Sequence, residues 1–505
     1  MTHKKLTVTR LLKALLMMCV ILGVPASAQS QKPNILIMVA DDLGWADVGY
    51  HGGDIDTPSL DRLAQQGVRL NRFYTTPICS PTRAALMTGR DPIRLGVTYG
   101  VLFPWDNIGV HPDEHFMPET FQAAGYQTAI VGKWHLGGEG AYAPDKRGFD
   151  WCSTNVGGPN VHFDPAMVRN GKRAPRKGYR EDIFFDEAMA FMDESKDTPF
   201  FCYLATYSPH APLAAPEEFE APFRGKVDKE EAAYLGMVAN LDYNLGRLMR
   251  HLQERKLEDN TILVFMNDNG QTHGLDVFNA GMRGSKCTIW QGGSRAISLW
   301  KWAGKWTPHT VSNLAAHLDV LPTLCDLAGA TLPPALGAKL EGFNLRPLLE
   351  SAAPVSWHDD RLLFHHVGRW PSGLAAAHKY AMASVQTGDL LLVRSRPCDD
   401  PACKQYSSQC TTLRSVEAGA TAATYTKANA QFHWGVTPPG RWSLFDLKND
   451  PTCQKDLAAE KPELASKLAS SYDKWWDTLY PTMIQLGGDK GEPELLNKGR
   501  VQKQK

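Results

Sequence analysis

The stretch PNILIMVADDLGW, residues 33–45, runs from Ile35 to Ala40 without a polar residue and then meets Asp41 and Asp42. Three other stretches repeat the pattern. YQTAIVGKWHLGG, residues 126–138, ends at Lys133 and His135; PFFCYLATYSPHAPL, residues 199–213, ends at His210; NTILVFMNDNGQTHG, residues 260–274, ends at Asp268 and Asn269. Runs of Ile, Val, Leu and Phe without polar alternation are the mark of strands buried on both faces of a parallel sheet. Helical segments lie between them. Residues 57–68, TPSLDRLAQQGV, start on Thr57 and Pro58 and stop at Gly67, and residues 230–255 carry apolar side chains at three-four spacing. The alternation predicts a three-layer α/β sandwich with a large, mostly parallel mixed sheet. In such sheets ligands bind beyond the carboxyl ends of the strands. One strand end rich in Asp, Lys or His reads as an ordinary polar loop; four of them, on neighbouring strands, would make one site.

A fifth stretch, FYTTPICSPTRAALMTGRDP, places Cys79 at the mouth of a predicted helix, with Ser80 as its cap, Pro81 in the first turn and Gly89 as its stop. Backbone N–H groups and the helix dipole favour an anion there, and Arg83 adds a positive charge on the first turn. Cys79 reads either as a buried structural cysteine or as a nucleophile beside an anion site.

Lys plus Arg balance Asp plus Glu at 54 each. This gives no general attraction to nucleic acid or an anionic membrane, so any basic site is local. At the N-terminus, basic residues precede the apolar LLKALLMMCVILGV and the small-x-small Ala26-Ser27-Ala28, which read as a signal peptide over residues 1–28 and predict a secreted or periplasmic protein with no stable membrane anchor. Removing it removes Cys19 and leaves an odd number of cysteines. With Cys79 set aside, Cys152, Cys202, Cys287, Cys325, Cys398, Cys403, Cys410 and Cys453 remain, and the last four are the candidates for structural disulfides. The α/β pattern fades near residue 345. Short strands in LLFHHV, DLLLVRS and RWSLFDL, and a helix in ELASKLASSYDKWWDTL, predict a smaller α+β subdomain over residues 346–483 after a main domain over 29–345, with a polar tail over 484–505.

CSPTRAALMTGR, together with ADDLGW, VGKWHLG, PHAPL, NDNG and RGSKCTIWQGGSR in that order, resembles the type I sulfatases of the alkaline phosphatase superfamily. DVGYHG and GKWHLG are most similar to the arylsulfatase B branch, which acts on N-acetylgalactosamine-4-sulfate. The resemblance implies an alkaline phosphatase-like fold and a sulfuric ester hydrolase acting on a sulfated carbohydrate or, artificially, an aryl sulfate. It implies that Cys79 is converted to formylglycine by a formylglycine-generating enzyme, which would account for the odd cysteine. It also implies one Ca²⁺ held by Asp41, Asp42, Asp268 and Asn269, an all-oxygen set suited to a hard cation. Two-zinc phosphatases of the superfamily carry His where this chain has Asn269, which weighs against the alternative of a phosphoester hydrolase on the same fold. By the same resemblance Arg83, Lys133 and Lys286 clamp the sulfate and the nucleophile, His135 takes a proton from the hydrated aldehyde, and His210 protonates the leaving alcohol. Alone, each of these Lys and His residues reads equally as a surface or loop group. His273 is a further, weaker metal candidate. Gln271 and Gln291 depart from the Gly and Glu common in the family. Phe103, Trp105 and His111, and His365, His366, Arg369 and Trp370, are candidates for a substrate rim, with core packing as the competing reading.

Overall fold

The computed structural model describes residues 32–98, 101–102, 108–138, 140–195, 198–275, 277–368, 370, 373–395 and 440–489. The leader at 1–28, Phe103, Trp105, Arg369, Cys398, Cys403, Cys410 and the end of the polar tail lie outside the described residues.

The strands are β1 (Asn34–Ala40), β2 (Val68–Leu70), β3 (Phe73–Tyr74), β4 (Gln127–Gly132), β5 (Trp151–Asn155), β6 (Ala166–Arg169), β7 (Lys172–Pro175), β8 (Phe200–Ala205), β9 (Thr261–Asn267), β10 (Arg295–Ala296), β11 (Ser298–Trp302), β12 (His309–Val311), β13 (Ala315–Ala316), β14 (Leu363–His366), β15 (Ala383–Gln386), β16 (Leu390–Arg394) and β17 (Ser443–Asp446). Ten of them form one mixed sheet in the order β12-β2-β11-β9-β1-β8-β4-β5-β6-β7. Its centre, β9-β1-β8-β4-β5, is parallel. The four apolar runs are therefore adjacent strands, as the sequence predicts, and their polar ends share one edge of the sheet.

The absence of alternation has a direct structural cause. Ile35, Ile37 and Val39 of β1 face one core, and Leu36, Met38 and Ala40 face the other; all are fully buried. Each such side chain contributes about 2 kcal/mol on burial. The first core is closed by the helices Cys79–Thr88, Met117–Ala123 and Val320–Ala328, and the second by Pro58–Gln66, Arg180–Glu194 and Lys229–Glu254. That is the three-layer α/β arrangement. β14-β15-β16-β17 form a separate antiparallel sheet, covered by the helix Pro462–Gln485 through Leu468, Tyr472, Trp476 and Leu479. Among the described residues no helix is long and apolar enough to cross a membrane.

Three expectations change. The helix at the cysteine begins at Cys79 itself, with Ile78 in the cap position and no side-chain cap. Ser80 is not the cap, because its hydroxyl donates instead to the His135 carbonyl at 2.7 Å. Cys453 is a buried thiol packed with Ile78, Trp290 and Phe445, not a disulfide partner. The proposed rim residues of the second sheet are core: Trp370 is 1% exposed, packs against His366 and Trp476, and donates to the Gly488 carbonyl, while His366 meets the His378 carbonyl. His365 is buried as well, and His111 lies half-exposed beside Asp113.

Candidate active site

Asp41 and Asp42 follow β1, Lys133 and His135 follow β4, His210 lies on the loop after β8, Asp268 and Asn269 follow β9, Cys79 opens its helix with Arg83 one turn further on, and Lys286 lies on the loop between β9 and the helix Gln291–Ser294. The turn after β4 depends on Gly132, whose φ is +97° and whose Cβ position would lie 2.0 Å from the Ala205 carbonyl oxygen. A glycine there lets β4 run against β8 to its last residue and throw Lys133 back over the strand ends.

The side chains meet. Lys133 Nζ donates to Asp41 Oδ2 at 2.6 Å, and Lys286 Nζ to Asp42 Oδ1 and Oδ2 at 2.6 and 2.8 Å. Arg83 is fully buried and donates through Nε and Nη2 to Asp268 Oδ2 at 3.0 and 2.8 Å, and through Nη1 to the Lys133 carbonyl at 3.2 Å. Asp268 Oδ1 accepts from the Asp42 N–H at 3.2 Å. His210 Nε2 lies 3.7 Å from Asp42 Oδ2, and its Nδ1 meets the Ala211 carbonyl. Arg83 thus acts as a scaffold that ties the β9 end to the β4 end, while the two lysines cover the β1 aspartates.

His135 has a definite tautomer. The Ser80 hydroxyl gives its proton to the His135 carbonyl and accepts from the Leu102 N–H at 2.9 Å. The His135 Nδ1, 3.0 Å from the same oxygen, must then be the donor, which makes Nε2 the unprotonated nitrogen. Burial, with Lys133 and Arg83 nearby, holds this imidazole well below its usual range, so the neutral base form dominates.

The electrostatics are those of a dense buried cluster. Burial alone would raise Asp41 and Asp42. Lys133, His210, Arg83 and Lys286 outweigh it and hold Asp41 well below the usual carboxylate range, and Lys286 lowers Asp42. Burial and the Asp41 charge lift Asp268 to about 7 against the pull of Arg83. Burial pushes the Cys79 thiol up while Lys133 and Lys286 oppose it, so an unmodified thiolate is disfavoured.

The donor set fits a hard cation. Asp41 Oδ1 and Asn269 Oδ1 are buried oxygens without a hydrogen-bond partner; Asp41, Asp42 and His210 bring ligand atoms within 4.8 Å of one another, while Asp268, its Oδ2 held by Arg83, stands outside that group. The Asn269 amide nitrogen donates to Asp42 Oδ1 at 2.7 Å, which turns its oxygen the other way. Unpartnered buried oxygens are costly unless something positive meets them. His273 hydrogen-bonds Thr272 and does not join this group.

Asp47, Tyr203 and Tyr234 join the site without having been evident from sequence, and the two glutamines at 271 and 291 find partners there. Asp47 accepts from the Gly44 N–H at 2.9 Å, from Tyr234 Oη, and from Gln271 Nε2 at 3.3 Å. Tyr203 Oη lies 3.4 Å from Arg83 Nη1. Gln291, the second departure from the family pattern, accepts from Tyr74 Oη at 2.8 Å and reaches Gln386 of the small sheet at 3.3 Å.

The sulfatase family model matches residues 33–330. The chain belongs to the sulfatase family. Human N-acetylgalactosamine-6-sulfatase is 35% identical over 383 residues, covering 68% of this chain and 70% of that protein. Human arylsulfatase A is 34% identical over 362 residues, covering 64% and 68%. Among solved structures, that of Ps i-CgsB in complex with k-i-k-neocarrahexaose matches with a TM-score of 0.73 at 28% identity, covering 88% of this chain and 93% of that one. This sulfatase is therefore a sulfuric ester hydrolase with the alkaline phosphatase-like fold, and its recognition from the Cys79 motif holds.

Proposed function

We propose that this sulfatase releases inorganic sulfate from a sulfated carbohydrate of the N-acetylgalactosamine-4-sulfate type, through a formylglycine made from Cys79 and with one Ca²⁺. The observation that carries the reading is the convergence on Cys79 of Lys133 and Lys286, each seated on an aspartate at the end of β1. The converted side chain supplies a hydrated aldehyde, with one hydroxyl to take the sulfuryl group and another through which sulfate departs. A Ca²⁺ on Asp41, Asp42, Asp268 and Asn269 supplies Lewis acidity toward a sulfate oxygen.

The remaining chemistry belongs to the chain. Lys133 and Lys286 turn from the aspartates to the sulfate oxygens and hold the charge that builds on them. Arg83 is already engaged, so it contributes a fixed positive field beside residue 79 and keeps Asp268 and the β4 end in register. His135 accepts a proton at Nε2 when sulfate is expelled. His210 keeps Nδ1 on the Ala211 carbonyl and delivers a proton from Nε2 to the leaving oxygen. Burial and Lys286 lower His210; the negative charge of a bound ester raises it again.

The names of the relatives support a carbohydrate sulfate, and N-acetylgalactosamine-6-sulfate is the competing position because human N-acetylgalactosamine-6-sulfatase is the 35% relative. Residues 29–345 carry the catalytic unit and residues 346–483 the second sheet, and the leader at 1–28 directs export. A formylglycine-generating enzyme acts during maturation. The test compares sulfate and phosphate release from matched 4-nitrophenyl esters, then from N-acetylgalactosamine carrying sulfate at position 4 or 6, with mass spectrometry of the peptide spanning residue 79. Phosphate release alone would support the phosphoesterase alternative; an unmodified thiol in an active sample would end the formylglycine reading.

A further inference from the structure

The hairpin β6–β7 was not legible as a functional element, and the reaction above does not use it. Its sequence, AMVRNGKRAPRKGYR over residues 166–180, holds Arg169, Lys172, Arg173, Arg176, Lys177 and Arg180 and no acid, in a chain of zero net charge. β7 is the last strand of the ten-stranded sheet, and Lys172 to Pro175 are all exposed. Glu187 pairs with Arg169 and Arg176, and Asp164 with Lys177. Lys172 and Arg173 have no ion-pair partner among the described residues.

The patch is joined to the active site. β5 runs parallel to β4, β6 returns, and β7 runs forward again, so Arg176 and Lys177 stand at the edge of the sheet that carries Lys133. Phe163, 50% exposed, lies on the same edge with its ring 5.2 Å from that of Tyr179. The next residue, Arg180, lies over the Tyr207 ring at 4.7 Å, and Lys133 Nζ lies over that ring at 5.7 Å. A buried line of rings and cations thus ties the sulfate clamp to the base of the hairpin, and only Phe163 and the hairpin cations reach the surface. Three strand spacings separate β4 from β7, roughly 14 Å, more than one pyranose ring spans.

We propose that Phe163, Lys172, Arg173, Arg176 and Lys177 form a subsite for a further sulfated stretch of a polysaccharide chain whose target sulfate lies at Cys79. This rests on the sulfated-carbohydrate reading and extends it from a sugar to a polymer. An edge strand carries Lys and Pro to block pairing with another sheet, and Lys172 and Pro175 serve that end. Edge protection asks neither for an exposed aromatic ring on the same rim nor for Arg176 and Lys177 beyond the strand. A ring flanked by cations is what a sugar face with anionic substituents needs. The zero net charge of the whole chain favours this local match over general attraction to nucleic acid or membrane.

The test uses the full, mature protein. Binding to chondroitin sulfate and to carrageenan is measured against their desulfated forms, across a salt series, for the wild type, the double variant Lys172→Glu/Arg173→Glu, and Phe163→Ala. In parallel, kcat/KM is measured on 4-nitrophenyl sulfate, which cannot reach the hairpin. The charge variant is expected to bind a sulfated chain about tenfold more weakly with a flatter salt dependence, and Phe163→Ala to weaken binding while keeping the salt slope. Both should keep the wild-type aryl sulfate turnover and melting temperature. Unchanged affinity in the charge variant overturns the proposal, as does a wild type that does not prefer the sulfated forms. Equal affinity for duplex DNA or phosphatidylserine vesicles, lost in the same variant, overturns it in favour of a general polyanion surface. Chain binding that behaves as expected in a protein without aryl sulfate turnover supports the subsite and faults the proposed chemistry instead.

Discussion

Gln271 reaches back from the end of β9 to the loop after β1, where its Nε2 donates to Asp47 Oδ1 at 3.3 Å. Its carbonyl accepts from the Lys286 N–H at 3.1 Å. One residue therefore joins three pieces of the site: the Asp268–Asn269 end, the Asp41–Asp42 end, and the loop that carries Lys286. The fit is close, since a Cβ at Gly44 would lie 1.8 Å from Gln271 Oε1. A glycine at 271 would have to leave this bridge to something else.

Replacing Gln271 with Ala is expected to loosen the proposed cation site without unfolding the protein. Groups that hold metal ligands in place typically cost about tenfold or more in metal affinity when removed. Thermal denaturation after chelator treatment, followed by Ca²⁺ titration, measures it: the midpoint of the stabilising response should move to higher Ca²⁺ in Gln271→Ala. A midpoint identical to wild type would mean that Asp47 and Tyr234 position the loops unaided.

Cys79→Ser is expected to abolish sulfate release on every ester while leaving the melting temperature near that of wild type. The position is 1% exposed and packed with Ile78, Trp290 and Cys453, and serine is nearly isosteric with cysteine. A serine can take a sulfate but has no second hydroxyl through which to shed it. Full turnover in this variant would refute the nucleophile assignment.

Asp91 gives a pH signature outside the active site. Burial and the neighbouring Glu341 lift its carboxyl from 3.8 to about 7, while Arg94 and the Ile93 N–H oppose the shift. A carboxyl raised on folding binds its proton more tightly in the native state, so its contribution to stability is complete below about pH 4 and is lost as the pH climbs to about 7. Asp91→Asn removes that titration. Melting curves across this window should fall less steeply for the variant than for wild type, and parallel curves would contradict the assignment.

The parts of the molecule that were legible share a physical cause. β1, β4, β8 and β9 are buried on both faces, so the middle of each run is apolar, and the chemistry begins abruptly where the strand pairing ends. The site followed from that break and from the motif around Cys79. β6 and β7 were not legible because they are short, polar and at an edge, where no core imposes a pattern. Asp47 and Tyr234 were missed because their contact spans 187 positions: Asp47 opens the DVGYHG stretch, but nothing in it points to Tyr234, which lies in no motif. His366 and Trp370 stayed undecided between a rim and the core because aromatic and basic residues look alike in sequence whether they meet a sugar or a neighbouring Trp476.

A buried ion pair crosses the join between the main sheet and the second one, beside the packing of Ile78 and Trp290 on Val393 and Phe445 and the Gln291–Gln386 hydrogen bond. Arg361, just before β14, donates to Asp319 Oδ2 at 2.6 Å and Oδ1 at 2.8 Å, and to the Leu314 carbonyl at 3.2 Å. Asp319 also accepts from the Ala316 and Phe343 N–H groups, each at 2.7 Å. With side chains 3% and 0% exposed, neither partner can turn to water if the other is removed. Arg361→Ala is therefore expected to cost about 3 kcal/mol or more, because it strands a buried carboxylate. The double variant Arg361→Ala/Asp319→Ala should cost less than the sum of the single changes. Urea denaturation of the single and double variants reads both quantities, with activity per folded molecule unchanged since the pair lies outside the Cys79 cluster. Additive losses would show that Asp319 stabilises the fold through its backbone contacts alone.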